Sequence, residues 1–354
     1  MSARAYTASA VEIDENLYES LRDNLDESLI AAVRAGFACV PKRLPAWLFY
    51  DEEGSRLFEE ITELPEYYLT RTERGILAQH SAEMIARACA GTCGATYGDR
   101  ARLRIAELGA GSADKTRLLL KAAIERQGEV VYEPVDVSST ALEAARQRIE
   151  AEIPNVLVMP RVEDYTRGNG LELEPVGADE RVLVLYIGSS IGNFDPHEAL
   201  QVLKNVRAGL RPGDGILLGV DLVKESRLLR AAYDDEAGVT AAFNRNMLAR
   251  LNRELGGNFD LDAFEHRAVW NEGESRMEMH LQSVRKQRVD LPALDLKVDF
   301  ANGERIHTES SYKYRPGEAE RLLTAAGFEI AGQWKDAKGW FGVYLGRIAS
   351  TEKK

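Results

Sequence analysis

Three cysteines in 354 residues, Cys39, Cys89 and Cys93, are too few and too unevenly spaced to build a disulfide framework, and their odd number suits a reducing compartment. Cys89 and Cys93 stand four apart on an expected helix, yet no histidine or further cysteine lies beside them in sequence. The histidines, His80, His197, His266, His280 and His307, show no metal-ligand spacing either, so no metal is expected. No apolar run approaches the ~20 residues needed to cross a bilayer, and residues 1–14 lack a signal-peptide core; a soluble, cytoplasmic chain is expected. Positive charge is in deficit. With 45 basic side chains against 57 acidic ones, the net charge of -12 repels phosphate backbones and anionic lipids, which argues against nucleic-acid or membrane partners. Repeats and low-complexity stretches are absent, and the chain is long enough for about two domains, each with its own core. An enzyme acting on a small molecule fits these absences, and a monomer is expected.

What is present changes character along the chain. Residues 12–35 carry helical apolar spacing, and a Pro-punctuated stretch dense in aromatics, Trp47 to Tyr50, follows. Two further helical stretches end near residue 90, and residues 91–100 are rich in turn formers. Short apolar runs then alternate with helical ones: strands are expected at 103–107, 130–137, 156–160, 182–187 and 215–220, with helices at 113–127, 138–153 and 196–210. This is the pattern of a doubly wound parallel α/β sheet, whose ligand lies beyond the carboxyl ends of the strands. From residue 224 to 308 the alternation stops, and helices give way to β-like stretches. Residues 12–75 and 224–312 are read as one α+β substrate domain, and residues 76–223 and 313–349 as the sheet domain, closed by a helix and two strands.

The chemistry is concentrated where strands end. The run Ile105-Ala-Glu-Leu-Gly-Ala-Gly-Ser112 closes the first sheet strand and opens a helix, and Gly109 and Gly111 allow close backbone approach to a ligand. Asp136 follows the second strand, where a carboxylate can accept both hydroxyls of a ribose. Asp164 and Tyr165 follow the third, suited to an adenine amino group and the face of the base. Each residue alone is equally well a turn or cap residue. Three successive strand ends, each supplying what a nucleoside needs, favour a nucleoside site. A dinucleotide would call for a third glycine, and Asp114 stands there instead, facing where a pyrophosphate would lie. S-adenosylmethionine has no phosphate and carries a sulfonium, so a methyltransferase is favoured over a nicotinamide-dependent dehydrogenase.

Longer motifs narrow the reading. Trp47 to Leu57, Leu64-Pro-Glu-Tyr-Tyr-Leu-Thr-Arg71, Glu107 to Arg117, Gly188-Ser-Ser-Ile-Gly-Asn193, Asp221-Leu-Val-Lys224, Ala232-Tyr-Asp-Asp235, Phe243-Asn-Arg-Asn246 and Thr308 to Tyr314 occur in order. Over about residues 44–345 the chain resembles the ergothioneine-pathway histidine Nα-methyltransferases, which use S-adenosylmethionine to convert histidine to its trimethyl betaine, hercynine. The resemblance implies a Rossmann-like class I methyltransferase sheet with a second α+β substrate domain. It also implies that Gly109, Lys115, Asp136, Asp164 and Tyr165 hold S-adenosylmethionine, and that Tyr67, Asn193, Tyr233, Glu309 and Ser311 hold L-histidine, with Tyr50, Phe58 and Met279 close by. These residue types suit such a ligand, since Asn193 and Tyr233 can donate to a carboxylate, and Glu309 with Ser311 can satisfy both nitrogens of an imidazole. Departures are mild. Ser112 and Asp114 replace Thr and Glu, Tyr165 replaces Phe, and Ser310 separates the two imidazole-binding residues. No strong catalytic base is expected; Tyr50, Tyr67 or water relays the amine proton. The alternatives are methylation of another aromatic amino acid such as tryptophan, which Glu309 and Met279 disfavour, and a non-catalytic S-adenosylmethionine sensor, which would not need the amino-acid-binding residues.

Overall fold

The computed structural model describes residues 15–90, 101–110, 114–137, 139–166, 171, 173 and 180–349; side chains of residues 15–26 and 140 are not described. In chain order the elements begin with α1 (Glu15–Ala38), β1 (Lys42–Arg43), α2 (Glu52–Glu63) and α3 (Tyr68–Cys89). The alternating part holds β2 (Arg102–Leu108), α4 (Thr116–Gln127), β3 (Val130–Asp136), α5 (Ser139–Glu152), β4 (Val156–Val158), β5 (Arg161–Val162), β6 (Glu180–Tyr186), α6 (Pro196–Ala208) and β7 (Gly215–Asp221). Then come α7 (Ser226–Tyr233), α8 (Val239–Leu255), β8 (Phe264–Asn271), β9 (Arg276–Ser283), β10 (Gln287–Leu291), β11 (Leu296–Phe300) and β12 (Arg305–Tyr312). The chain closes with α9 (Glu318–Ala325), β13 (Glu329–Lys335) and β14 (Phe341–Arg347).

Two compact units divide the chain. One comprises the described residues within 15–56, 241–267 and 280–308, and the other those within 57–240, 268–279 and 309–349. Residues 57–75, 224–240, 268–279 and 309–312, read from sequence as part of the substrate domain, therefore fall in the sheet unit. The reason is packing: α3 lies on β2, β7, β13 and β14, and its buried Leu77, Met84 and Ile85 join their core. Strands β8, β9 and β12 each begin in one unit and continue along the chain into the other.

The sheet unit is built on the order β13-β14-β7-β6-β2-β3-β4, with β5 also paired to β3. Among the described residues β14 alone runs antiparallel to its neighbours, and the remaining pairings are parallel. Period-two alternation builds two cores. Leu183 and Leu185 of β6 face one layer with Leu77, Met84, Leu119 and Leu120, whereas Val184 and Tyr186 face the other with Val202, Leu203, Val206 and Leu323. Helix α6 starts sharply because Asp195 accepts from the backbone of His197 and Glu198 while Glu198 accepts from the Asp195 amide, with Pro196 preset in the first turn.

The smaller unit has an aromatic core. Phe264 meets Phe300 edge-on at 5.2 Å, and Phe37 stacks on Phe259 at 6.0 Å. Helix α8 buries Phe243, Met247, Leu248, Leu251 and Leu255, the i, i+4, i+8 stripe of an amphipathic helix. Its sheet carries β1 beside β12, and β10 pairs with β11 as a hairpin. Among the described residues no helix is long and apolar enough to cross a membrane.

Candidate functional site in the sheet unit

The strand ends carry the expected residues. Gly109, one residue past β2, has φ +65, and a Cβ there would stand 3.4 Å from the Tyr165 hydroxyl. A side chain is costly at that dihedral, so Gly109 keeps the turn open. Asp136 ends β3, and the charges of Asp136 and Asp164 both bear on Tyr165, whose phenol burial pushes up to about 12. One oxygen of Asp164 accepts from the amide and hydroxyl of Thr166, at 3.0 and 2.5 Å, which fixes its loop. Gly111 lies outside the described residues.

Beneath the turn, Glu107 is buried and accepts from Thr116 Oγ1 at 2.6 Å and from the Tyr132 hydroxyl at 2.5 Å. Burial pushes its carboxyl up to about 7, with the Thr116 and Tyr132 hydrogen bonds opposing. A carboxyl whose folded pKa lies above its unfolded value stabilises the fold fully below pH ~4.5 and loses that contribution as pH rises through the folded value. Melting of the parent relative to Glu107→Gln should therefore fall by a few degrees between pH 5 and 8, read by calorimetry; a difference that stays flat with pH would contradict this assignment.

Lys115, expected at the cofactor, precedes α4 and ion-pairs with Glu73. Sequence reading missed Glu73. Leu69, Glu73 and Ile76 follow i, i+4, i+7 on the buried stripe of α3, and a carboxylate in an apolar stripe is the signal that could have exposed it. Both its oxygens accept from the Gly188 amide, at 2.9 and 3.0 Å, and Gly219 of β7 leaves the room: a Cβ there would meet Glu73 Oε1 at 2.1 Å. Gly188, at φ +82, would place a Cβ 3.1 Å from Lys115 Nζ. Ammonium, carboxylate and backbone amide thus converge at the ends of β2 and β6.

Several of the residues expected to bind the amino acid form a second cluster. Tyr67 precedes α3 in a turn fixed by Arg71, which donates to the carbonyls of Leu64 and Tyr67 at 3.0 and 3.2 Å. Its ring meets Phe58 at 6.2 Å and Tyr233 at 6.4 Å, both edge-on. Tyr233 ends α7 on the buried i, i+3, i+4 stripe shared with Leu229 and Ala232. Glu309 and Ser311 occupy alternate positions of β12, and so share one face of the strand. Burial pushes Glu309 up to about 7, opposed by the Lys313 ammonium, and its charge in turn raises the Tyr67 and Tyr233 phenols, which burial has already lifted. Asn193 ends the 3-10 turn 190–193, where Gly192 packs so tightly on the Tyr312 backbone that a Cβ would meet its carbonyl at 2.8 Å. Met279 is buried in β9. Tyr50 belongs to the smaller unit, where it is 42% exposed and edge-on to Phe243 at 5.8 Å.

A buried charge network, also missed, supports this cluster. The end of β12 docks on the end of β7: Tyr314 donates its amide to the Asp221 carbonyl at 2.9 Å, and Val223 donates to the Tyr314 carbonyl at 3.0 Å. That pairing sets Lys313, 1% exposed, beside Asp221, 0% exposed, with Nζ 3.0 Å from Oδ2. Lys313 also donates to the Tyr233 hydroxyl at 2.7 Å and to Ser311 Oγ at 2.9 Å. Asp221 further accepts from Tyr68 at 2.7 Å and pairs with Lys224, whose amine burial lowers to about 8 against the pull of Asp221. Tyr233 gives its hydroxyl proton to Ser311 at 2.8 Å. In this arrangement the Tyr233 hydroxyl, expected to donate to a substrate carboxylate, donates to Ser311 Oγ.

Among the described residues no group of three His, Cys, Asp or Glu could hold a metal ion. The donor set fits S-adenosylmethionine instead: acidic strand ends, a glycine turn at positive φ and an ion-paired lysine at the opening of a helix. A parallel sheet with one reversed strand and this set at its strand ends defines a class I S-adenosylmethionine-dependent methyltransferase. Residues 29–348 match the family described as histidine-specific methyltransferase, SAM-dependent, and the chain belongs to that family. It is 46% identical over 323 residues to a histidine N-alpha-methyltransferase of Mycolicibacterium smegmatis, covering 91% of this chain and 96% of that one. The same comparison with a histidine N-alpha-methyltransferase of Mycobacterium tuberculosis gives 43% over 313 residues, 88% and 92% of the two chains. Ergothioneine biosynthesis protein 1 of Neurospora crassa is 32% identical over 83% of this chain and 32% of its own length.

Proposed function

We propose that the protein transfers three methyl groups from S-adenosylmethionine to the α-amine of L-histidine, forming hercynine, a step of ergothioneine synthesis. The observation that carries this is the pair Glu309 and Ser311, buried on one face of β12 beside Tyr67 and Tyr233 in a chain of the histidine-specific family. A buried carboxylate and hydroxyl matched to an imidazole stay unpaired against leucine or phenylalanine, which rejects those side chains strongly. In this reading Gly109, Gly111, Lys115, Asp136, Asp164 and Tyr165 hold the methyl donor, and Asn193 receives the amino-acid carboxylate.

S-adenosylmethionine supplies the methyl group on a sulfonium, whose positive charge lowers the pKa of an amine beside it. The protein has to align that amine for in-line attack, and positioning accounts for much of the rate. Tyr67 cannot serve as a phenolate base, because burial and the neighbouring Tyr233 and Glu309 hold its proton firmly. It relays a proton as a neutral hydroxyl, or water does. Replacing Tyr67 by Phe should lower kcat by no more than about tenfold, with the KM for histidine nearly unchanged; complete loss of turnover with intact histidine binding would show that a base is required after all.

The direct test is mass spectrometry of the protein incubated with S-adenosylmethionine and an equimolar mixture of the amino acids. A gain of three methyl groups on histidine alone is expected. Methylation of a different amino acid would overturn the imidazole assignment, and binding of S-adenosylmethionine without any methylation would favour a sensor.

A further inference from the structure

The hydroxyl of Ser311 is 5% exposed with its residue and can accept two hydrogen bonds and donate one. Both acceptor positions are filled from inside the protein, one by the Tyr233 hydroxyl at 2.8 Å and one by the Lys313 ammonium at 2.9 Å. The direction of the first follows from acidity. A phenol is a far stronger proton donor than an alcohol, and Lys313, itself donating to the Tyr233 oxygen at 2.7 Å, sharpens that difference. Lys313 cannot turn away, since its ammonium has no lone pair and its remaining proton points to Asp221 Oδ2 at 3.0 Å. The only capacity left to Ser311 is its own proton. Two residues earlier on the same face, Glu309 presents a carboxylate, which when ionised only accepts.

We propose that Lys313 is a positioning residue that makes Ser311 a donor to the substrate ring, so that the site accepts histidine only with a neutral imidazole in a single tautomer. This rests on the histidine reading above. One ring nitrogen, unprotonated, receives the Ser311 proton, while the other gives its N–H to Glu309. An imidazolium carries two N–H groups and would turn one of them against an oxygen whose lone pairs are already taken, leaving a buried donor unpaired. The charge on the ring is thereby set by a lysine that does not touch it. The titratable groups bearing on this corner of the sheet unit are Glu309, Lys313, Asp221, Lys224, Glu73, Tyr67, Tyr68 and Tyr233. Lys224 and Tyr68 share Asp221 with Lys313, so the ammonium of Lys313 stays anchored when the ring arrives.

The test binds ring-15N-labelled histidine to the full chain with S-adenosylhomocysteine, so that no methyl is transferred, at pH 6, below the free imidazole pKa of ~6.5. Two widely separated nitrogen resonances, one protonated and one bare, are expected, whereas the free amino acid shows mainly imidazolium. The apparent Kd should rise at least tenfold for each pH unit below ~6.5, because binding then requires proton release. In Lys313→Met an acceptor position on Ser311 is released; the bound ring should take up its second proton and the slope should flatten. A merely structural role for Lys313 would lower affinity equally at every pH and leave the bound ring neutral, which would overturn the proposal. If loss of that buried cation prevents folding, Tyr233→Phe frees the other acceptor position and is expected to give the same flattening. Imidazolium bound to the parent would overturn this inference alone; failure of histidine to bind at any pH would overturn the functional reading and this inference with it.

Discussion

Replacing Glu309 by Leu is expected to raise the KM for histidine about 10²-fold while the KM for S-adenosylmethionine moves little. The carboxylate is the one anionic acceptor on its face of β12, and a buried imidazole N–H that loses it has no aqueous substitute. Selectivity should fall as well, because an apolar residue removes the unpaired-carboxylate penalty that rejects aliphatic and larger aromatic amino acids. Steady-state kinetics with histidine and competing amino acids reads both effects. A loss confined to kcat would mean that Glu309 acts on the reacting amine rather than on the ring. Folding should not suffer: burial already holds this carboxyl up at about 7, so removing it relieves a strained charge.

Asp136→Ala should act on the other substrate, raising the KM for S-adenosylmethionine about 10²-fold or more, since the role proposed for Asp136 is two charge-assisted hydrogen bonds to a ribose, which would be lost together. Asp136 is only partly buried at the end of β3, so melting should stay close to that of the parent, and histidine affinity should be nearly unaffected. Asp164→Ala is the natural control. One oxygen of Asp164 is engaged by Thr166, so its removal should cost several-fold less than that of Asp136, with some loosening of the loop. Isothermal titration with S-adenosylhomocysteine separates the two, and equal effects would show that Asp136 does not receive the ribose.

Helices α5 and α6 lie within a residue or two of the stretches 138–153 and 196–210 expected for them, and the sheet strands differ from expectation by a residue or two at their ends. Such elements are legible because periodic burial writes itself into sequence. Strands β10 and β12 left no such trace. Residues 305–312, Arg-Ile-His-Thr-Glu-Ser-Ser-Tyr, have no alternating hydrophobicity to read, because three of the buried positions, Thr308, Glu309 and Ser311, carry polar side chains. The site residues were assigned through the resemblance, because such positions carry long motifs rather than a burial period.

Local order alone thus determined much of this protein: a glycine turn after the first sheet strand, acids at the next two strand ends, and the family. What only tertiary structure decided is what stands behind the contacts. Glu73 meets Lys115 and Gly188 because a missing side chain at Gly219 lets a helix carboxylate reach a strand end. Lys313 meets Asp221, Tyr233 and Ser311 because an isolated backbone bridge just past the ends of β7 and β12, Leu222 to Tyr314, closes a separation of 92 residues between Asp221 and Lys313. A buried ion needs partners on every side, and those partners come from whichever elements the fold happens to bring near. No spacing rule along a chain can encode that.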